Sequence, residues 1–286
     1  MPNLKDLRRR IRATKSMQQI FKAMEMVAAA KLRRAQARAT AASPYAAKIT
    51  EMLDNLAGAA SELEHPLFKV REVKKTALVL ITSDRGFAGA YNATILRAAE
   101  ARIRSAPAGS IVLVVVGRKG RDYMRRRGYP ILSAHTELPG EASLDLAKRL
   151  TEELIERFTS GEVDRIELMY THFVSALARK TAVEVFLPVG GATPGATAAA
   201  DRGTIFEPDP ETIFAELLPR YTTAKLYAAM ADALASEHAA RMIAMGAARK
   251  NAGELVDSLT LTRNRLRQAA ITKEIAELVG GAEALK

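Results

Sequence analysis

The sequence has no cysteine and no tryptophan, and aromatic residues make up only 5% of its 286 residues. The absence of cysteine excludes disulfides, thiolate metal sites, cysteine nucleophiles and thiol redox control. No stretch of about 18 apolar residues occurs, so the sequence offers no candidate membrane span. The histidines show none of the spacings typical of metal sites, and we predict no metal centre. They are His65, His135, His172 and His238.

Proline and glycine are scarce at both ends of the chain. Apart from Pro2 and Pro44 neither occurs in residues 1–57, and no proline follows Pro219. Because these residues end helices, the pattern predicts one very long helix over residues 3–43 and another over 220–279. Pro219 is expected to kink the second helical region or to divide it.

The N-terminal segment has apolar residues along one helical stripe. They recur about every 3.5 residues, the spacing of a coiled-coil seam. The predicted seam is Leu4, Leu7, Ile11, Thr14, Met17, Phe21, Met24, Ala28, Leu32 and Ala35. Ile20, Met26 and Val27 widen this stripe beyond what a two-helix seam needs. A helix with apolar residues around much of its surface is expected to lie inside another structure.

The C-terminal segment has a less regular pattern, with Gly246 and Gly253 inside it. Each glycine costs a helix about 1 kcal/mol relative to alanine. Either local softness or close packing would explain them, and the sequence alone does not decide between the two.

Charge is concentrated at the N-terminus. The chain carries a net charge of +11, and residues 1–42 hold eleven basic side chains against Asp6 and Glu25. This excess indicates an acidic partner, which could be nucleic acid, anionic lipid or an acidic protein surface.

The middle of the chain has the sequence pattern of an α/β domain. Apolar runs of strand length occur at 77–82, 111–116, 165–170 and 182–187, and helical patterns occur at 92–104 and 144–158. Strands that are apolar on both faces predict a parallel or mostly parallel sheet covered by helices. Ordinary solvated helix faces account for carboxylates such as Asp145, Glu152 and Glu153, so no catalytic arrangement is predicted.

The loop after the first strand, residues 82–89 (TSDRGFAG), has the position of a phosphate-binding loop. Its glycines do not match the dinucleotide fingerprint, and no GK[ST] follows them. Residues 117–120, after the second strand, likewise match neither phosphate-binding motif. We predict structural turns here and keep a nucleotide-binding α/β enzyme as the alternative function, with a nucleic-acid binder third.

Five strings resemble one protein family along the whole chain. They are IFKAMEMVAAAKLR at 20–33, TSDRGFAGAYN at 82–92, FEPDP at 206–210, SEHAARMIAM at 236–245 and RQAAIT at 267–272. In this order they resemble the gamma subunit of bacterial F-type ATP synthase.

The resemblance implies a fold of α/β class with long helices. The N- and C-terminal segments would form an antiparallel two-helix coiled coil, with a Rossmann-like α/β domain between them. The expected segments are a coiled-coil helix over 1–57, a connection over 58–75, the α/β domain over 76–190, a flexible linker over 191–209, and the second coiled-coil helix over 210–286.

The resemblance also implies a function. Members of the family are the rotating central shaft that couples proton flow to ATP synthesis or hydrolysis on the beta subunits and regulates the ATPase activity. The expected partners are three alpha and three beta subunits, the epsilon subunit and the c ring, with one shaft per complex. The chain itself would be non-catalytic, hold no cofactor, bind no nucleic acid, and lie peripherally on the cytoplasmic side of the bacterial inner membrane.

Contact residues follow from the strings that match. Six residues would contact a beta subunit, namely Lys22, Met24, Arg241, Arg267, Gln268 and Thr272. Phe206 and Glu207 would lie at the foot of the shaft, near the c ring.

Overall fold

The computed structural model describes residues 3–60, 65–189 and 210–283. Two long helices enclose the central elements in sequence, α1 (Leu4–Ala60) and α5 (Pro210–Glu283). Between them, the described residues form a 3₁₀ turn (Pro66–Phe68), five strands and three helices. In chain order these are β1 (Thr76–Ile81), α2 (Tyr91–Arg104), β2 (Ile111–Val116), α3 (Arg118–Arg126), β3 (Ile131–His135), α4 (Leu144–Thr159), β4 (Arg165–Phe173) and β5 (Arg179–Leu187).

Both long helices continue through their prolines. The predicted end at residue 43 is therefore wrong, since α1 runs past Pro44, and Pro219 does not divide α5. Beyond Pro44, Ile49 is buried in the core of the central sheet. Leu218, next to Pro219, is fully buried there as well. Burial of these apolar side chains offsets the hydrogen bond that each proline removes.

The sheet is mixed, with strand order β3-β2-β1-β4-β5. The first four strands in sequence are parallel, and β5 pairs antiparallel with β4. This confirms the predicted, mostly parallel sheet. The observed strands and helices match the predicted segments except α3 and β3, which were not predicted. The structural turn predicted over residues 117–120 is wrong for 118–120, which form the first turn of α3. The α3 sequence RKGRDYMRR is almost entirely polar, and β3 is only partly buried, so neither contains an apolar run.

Alternate residues of the central strands belong to two apolar cores, one on each face of the sheet. On one face, Val79 and Val114 pack with Leu150 of α4 and Leu218 of α5. On the other face, Leu80 packs with helices α2 and α3. Both faces of β1 and β2 are buried, which explains why their sequences are continuously apolar.

The chain divides into two compact units. The two-helix unit consists of residues 1–28 and 242–286, and the α/β unit consists of residues 29–241. The predicted linker over 191–209 lies outside the described residues.

Gly117 provides a test of how tightly the α/β unit is packed. It has φ of +102°, and a Cβ atom there would lie 2.4 Å from the Thr82 carbonyl oxygen. Gly117→Ala is therefore expected to lower the free energy of unfolding by about 3 kcal/mol, from backbone strain plus a clash with main chain. Chemical denaturation of the purified chain measures this loss.

Gly109→Ala is the matched control. Gly109 also has a positive φ, +77°, but a Cβ atom at this position would have no other atom within 4 Å. Only the backbone cost of about 1 kcal/mol is expected. Equal losses in the two variants would contradict the tight packing at Gly117.

Candidate partner-binding surface

The loop after β1 is held by hydrogen bonds within the α/β unit. The first amides of α3 donate to it, with Arg118 N 2.7 Å from Asp84 Oδ1 and Gly120 N 2.9 Å from Thr82 Oγ1. The second Asp84 oxygen accepts a 2.6 Å bond from the Leu138 amide. These helix N-terminal amides are the groups that would otherwise bind phosphate, so Asp84 occupies the place of an anionic ligand.

Helix α5 fills the crevice at the carboxyl edge of the sheet. Tyr91 donates from its hydroxyl to the Ala233 carbonyl at 3.0 Å, and Ser236 donates to the Thr171 carbonyl at 3.0 Å. Open α/β sheets bind ligands at this edge, where the strand order reverses, here between β1 and β4. The arrangement favours the structural-turn interpretation of residues 82–89 over a nucleotide site.

Arg241, one of the predicted beta-subunit contacts, binds within the α/β unit. Its Nη2 lies 2.6 Å from Glu237 Oε1 and 3.2 Å from the Gly86 carbonyl oxygen. Its side chain is only 13% exposed. The guanidinium thus ties α5 to the loop after β1, and this internal role was not visible in the sequence.

Two buried groups beside Arg241 have shifted pKa values. Burial raises the pKa of Glu237, although Arg241 opposes the shift. Burial, with the nearby charges of Arg241 and Lys31, lowers the pKa of His238 to about 4. His238 is therefore neutral in the folded protein near pH 7.

The two-helix unit contains an antiparallel seam. Gln18 lies against Gly253 and Glu25 against Gly246, so moving seven residues back along α1 moves seven residues forward along α5. Leu7, Ile11 and Thr14 are buried along it. These contacts confirm the predicted antiparallel pairing and supply its register.

The predicted seam is wrong at Met17, which is 46% exposed. A strict alternation of four- and three-residue steps passes from Thr14 to Gln18 and on to Phe21 and Glu25. Polar residues thus hold two seam positions that the apolar pattern had assigned to methionines, and Met24 is only half-buried. The regular spacing itself was the signal that could have located them.

The two internal glycines are explained by these polar positions. A Cβ at Gly246 would lie 3.2 Å from Glu25 Oε1, and a Cβ at Gly253 would lie 2.9 Å from Gln18 Nε2. Glu25 also pairs with Arg249, whose Nε lies 2.8 Å from Oε2. Both glycines thus lie where the end of a polar α1 side chain approaches α5, which favours close packing over local softness.

The other predicted beta-subunit contacts lie on the surface of the two-helix unit. Lys22, Arg267, Gln268 and Thr272 are exposed. Thr272 Oγ1 donates to the Gln268 carbonyl at 3.0 Å. Within the described part of the chain, neither the Arg267 guanidinium nor the Gln268 carboxamide has a hydrogen-bond partner. Phe206 and Glu207 lie outside the described residues.

Large apolar side chains are also exposed on both helices of the unit. On α1, Ile20, Met26 and Val27 are each more than half exposed. On α5 the exposed set continues with Leu255, Leu261, Ile271, Ile275, Leu278 and Val279. Exposed apolar surface of this extent is typical of a protein-binding region, as the sequence pattern predicted.

The described residues offer neither a metal site nor a membrane span. No group of three or more His, Cys, Asp or Glu side chains is placed to hold a metal ion there. No helix in the same residues is both long enough and apolar enough to cross a membrane.

His238 generates a prediction about pH. In the unfolded chain this imidazole is protonated near its ordinary pKa of about 6.5, whereas in the folded chain its pKa is about 4. Its contribution to stability is therefore full above about pH 6.5 and is lost as the pH falls towards 4, by about 3 kcal/mol in total. Unfolding free energies of wild type and His238→Gln across this range measure the loss. Parallel curves for the two proteins would contradict the assignment.

Gly246 generates a prediction about the seam. Gly246→Leu places a side chain beside the Glu25 carboxylate, and the cost of overpacking, about 2 kcal/mol, is partly offset by the roughly 1 kcal/mol gained in replacing a helical glycine. A net loss of about 1 kcal/mol from the stability of the two-helix unit is expected. Gly280→Leu is the control, because nothing lies within 4 Å of a Cβ at Gly280. It is expected to stabilise the helix by up to about 1 kcal/mol. Thermal unfolding followed by circular dichroism measures both, and a harmless Gly246→Leu would argue against the tight seam.

Comparison with known proteins places the chain in a family. Residues 3–285 match a protein family described as "ATP synthase". The chain is 49% identical to the ATP synthase gamma chain of Moorella thermoacetica and 46% identical to that of Heliobacterium modesticaldum, each alignment covering 100% of both chains.

Solved structures share the fold. A chain of the Tetrahymena thermophila mitochondrial ATP synthase central stalk and c-ring has a TM-score of 0.64 at 25% identity, over 80% of this chain and 99% of that one. A chain of the Euglena gracilis mitochondrial ATP synthase (OSCP/F1/c-ring) has a TM-score of 0.71 at 22% identity, over 99% and 94%. With full-length relatives at this identity, the chain belongs to the ATP synthase gamma chain family.

Proposed function

We propose that this chain is the central rotating shaft of an F-type ATP synthase. The observation that carries the proposal is the two-helix unit, which exposes large apolar side chains on both helices. Exposed apolar side chains in this number mark a surface that another protein covers. A ring of alpha and beta subunits around the two helices would provide that cover.

The shaft is a non-catalytic subunit, and the chemistry takes place on the beta subunits. Its coupling role is mechanical. Each proton that crosses the membrane releases about 2.3 kcal/mol per 100 mV, and this turns the c ring together with the shaft. An asymmetric shaft contacts the three beta subunits differently at any moment. Its rotation therefore changes their nucleotide affinities in turn, and its contacts also regulate ATP hydrolysis.

Exposed side chains of the two-helix unit would make the beta-subunit contacts. Lys22 presents a cation, and Met24 beside it is half-buried. Arg267 offers a planar guanidinium and Gln268 an amide, a pair suited to a carboxylate and a carbonyl on a partner loop. Thr272 lies one turn further along α5 and is also exposed.

Arg241 fits this scheme indirectly. Its guanidinium is engaged with Glu237 and Gly86, so we assign it to holding α5 on the α/β unit beneath any contact with a beta subunit. Phe206 and Glu207 are proposed to approach the c ring at the foot.

The remaining partners and the location follow from the same role. One copy of the shaft would serve three alpha and three beta subunits and bind the epsilon subunit. It would be peripheral, on the cytoplasmic side of the bacterial inner membrane. Neither a cofactor nor nucleic acid is needed for this function.

The contact proposal is tested in the assembled complex. Replacing Arg267 and Gln268 together by alanine is expected to lower the rate of ATP synthesis by at least about tenfold, because the charge-assisted hydrogen bond of Arg267 alone contributes about 1.5 kcal/mol and the amide contact of Gln268 is lost with it. Synthesis is measured in membrane vesicles with an imposed proton gradient.

Lys250→Ala is the matched control, since Lys250 is a 78% exposed cation on the same helix and outside the proposed contact set. It is expected to leave synthesis unchanged. Normal synthesis by the double variant would remove Arg267 and Gln268 from the proposed interface while leaving the shaft function intact.

A further inference from the structure

One cavity of the α/β unit is lined by none of the proposed partner-contact residues. It has a volume of about 210 Å³. Helix α1 provides one wall, the loop between β3 and α4 provides a second, and Ala231 and Leu234 of α5 contribute to a third.

Three cations line the α1 wall of this cavity. Lys31, Arg34 and Arg38 follow one another at steps of three and four residues, which places them on one helix face. Arg34 has neither a hydrogen bond nor an ion pair within the described part of the chain, and it is exposed. The lining includes one carboxylate, Glu141, which pairs with Arg38 at 2.6 Å.

The loop wall supplies backbone donors. Gly140, Glu141 and Ala142 line the cavity, and no hydrogen bond within the described residues uses their N–H groups. Backbone amides without a partner in the protein are available to an anion bound beside cations.

Gly140 lies close to the Lys31 side chain at the cavity wall. A Cβ there would lie 3.0 Å from the Lys31 ammonium nitrogen. The backbone does not have the positive φ that calls for glycine at this position. The missing side chain therefore leaves the Lys31 ammonium in place, whereas a Cβ would displace it by a few tenths of an ångström.

From these observations we propose that the cavity binds a phosphate-class oxyanion, with Arg34 and Lys31 as its principal ligands. A tetrahedral oxyanion presents oxygens in several directions and can use the cations of α1 and the amides of the loop together. Arginine suits such an anion because its guanidinium donates two parallel hydrogen bonds. The cavity is smaller than the roughly 300–1,000 Å³ typical of organic ligands, which favours inorganic phosphate or pyrophosphate, or the phosphoryl end of a nucleotide.

The test is isothermal titration calorimetry on the purified full-length chain, with pyrophosphate as the probe and chloride at equal ionic strength as the blank. Wild type is expected to bind one pyrophosphate. Arg34→Gln is expected to weaken binding about tenfold, and Lys31→Gln by a similar factor, because each removes one charge-assisted hydrogen bond. Arg34 is exposed, so its variant keeps the fold even if the Lys31 variant does not.

Two more variants separate binding from general damage. Arg33→Gln removes the neighbouring exposed cation, which does not line the cavity, and is expected to leave the affinity unchanged. Glu141→Gln removes the competing carboxylate and frees Arg38, and is expected to tighten binding. A structural defect alone would not produce this opposite effect.

Inorganic phosphate and ADP are titrated in parallel to identify the source. Tighter binding of ADP than of pyrophosphate would indicate a nucleotide, and the reverse order would indicate the free inorganic ion. No binding, or the same affinity in wild type and Arg34→Gln, would overturn the site. So would tighter binding of an oligoglutamate peptide, since the cavity would then be a docking point for an acidic protein segment. None of these outcomes depends on whether the chain rotates.

Discussion

The α/β unit depends on the docking of α5 at the carboxyl edge of its sheet. That edge carries the loop after β1, the start of α3 and the end of β4, all of which present polar main-chain groups. Three side chains of the same unit form hydrogen bonds to these main-chain groups: Asp84 on the loop, and Ser236 and Arg241 on α5. Without them, buried amides and carbonyls would need water or a ligand. The same contacts therefore complete the core and close the position where related architectures bind nucleotides.

Much of the fold could be predicted because burial leaves a strong trace in a sequence. Both faces of β1 and β2 are covered, so their residues are continuously apolar and their bounds were predicted within one residue. Edge elements leave no such trace. Helix α3 is polar and β3 is only partly buried, and both were missed. Pro44 also misled, because a local helix breaker gives no information about the apolar contact that Ile49 makes further along.

The partner-binding surface was predictable in kind but not in detail. Apolar residues beyond the needs of a seam, such as Met26 and Val27, indicated a covered surface from the sequence alone. The identity of the cover, and the roles of Arg267 and Gln268, came from resemblance to a family. The apolar pattern missed Gln18 and Glu25 because both are polar, although the regular spacing leads directly to them. Arg241 shows the opposite limit, since only three-dimensional contacts reveal that its charge is used internally.

The pairing of glycines with polar side chains bears on how uniquely the two helices are aligned. Gly246 and Gly253 are seven residues apart, the same interval that separates Gln18 from Glu25. If α5 slipped by seven residues relative to α1, Glu25 would lie opposite Gly253 instead of Gly246, again with room for its carboxylate. The glycines alone therefore do not select between these two alignments. Arg249 removes the degeneracy, because after such a slip its place beside Glu25 would be taken by Val256 and the carboxylate would lose its only ion pair in the described chain. A single cation thus makes one alignment of the coil lower in energy than its nearest copy.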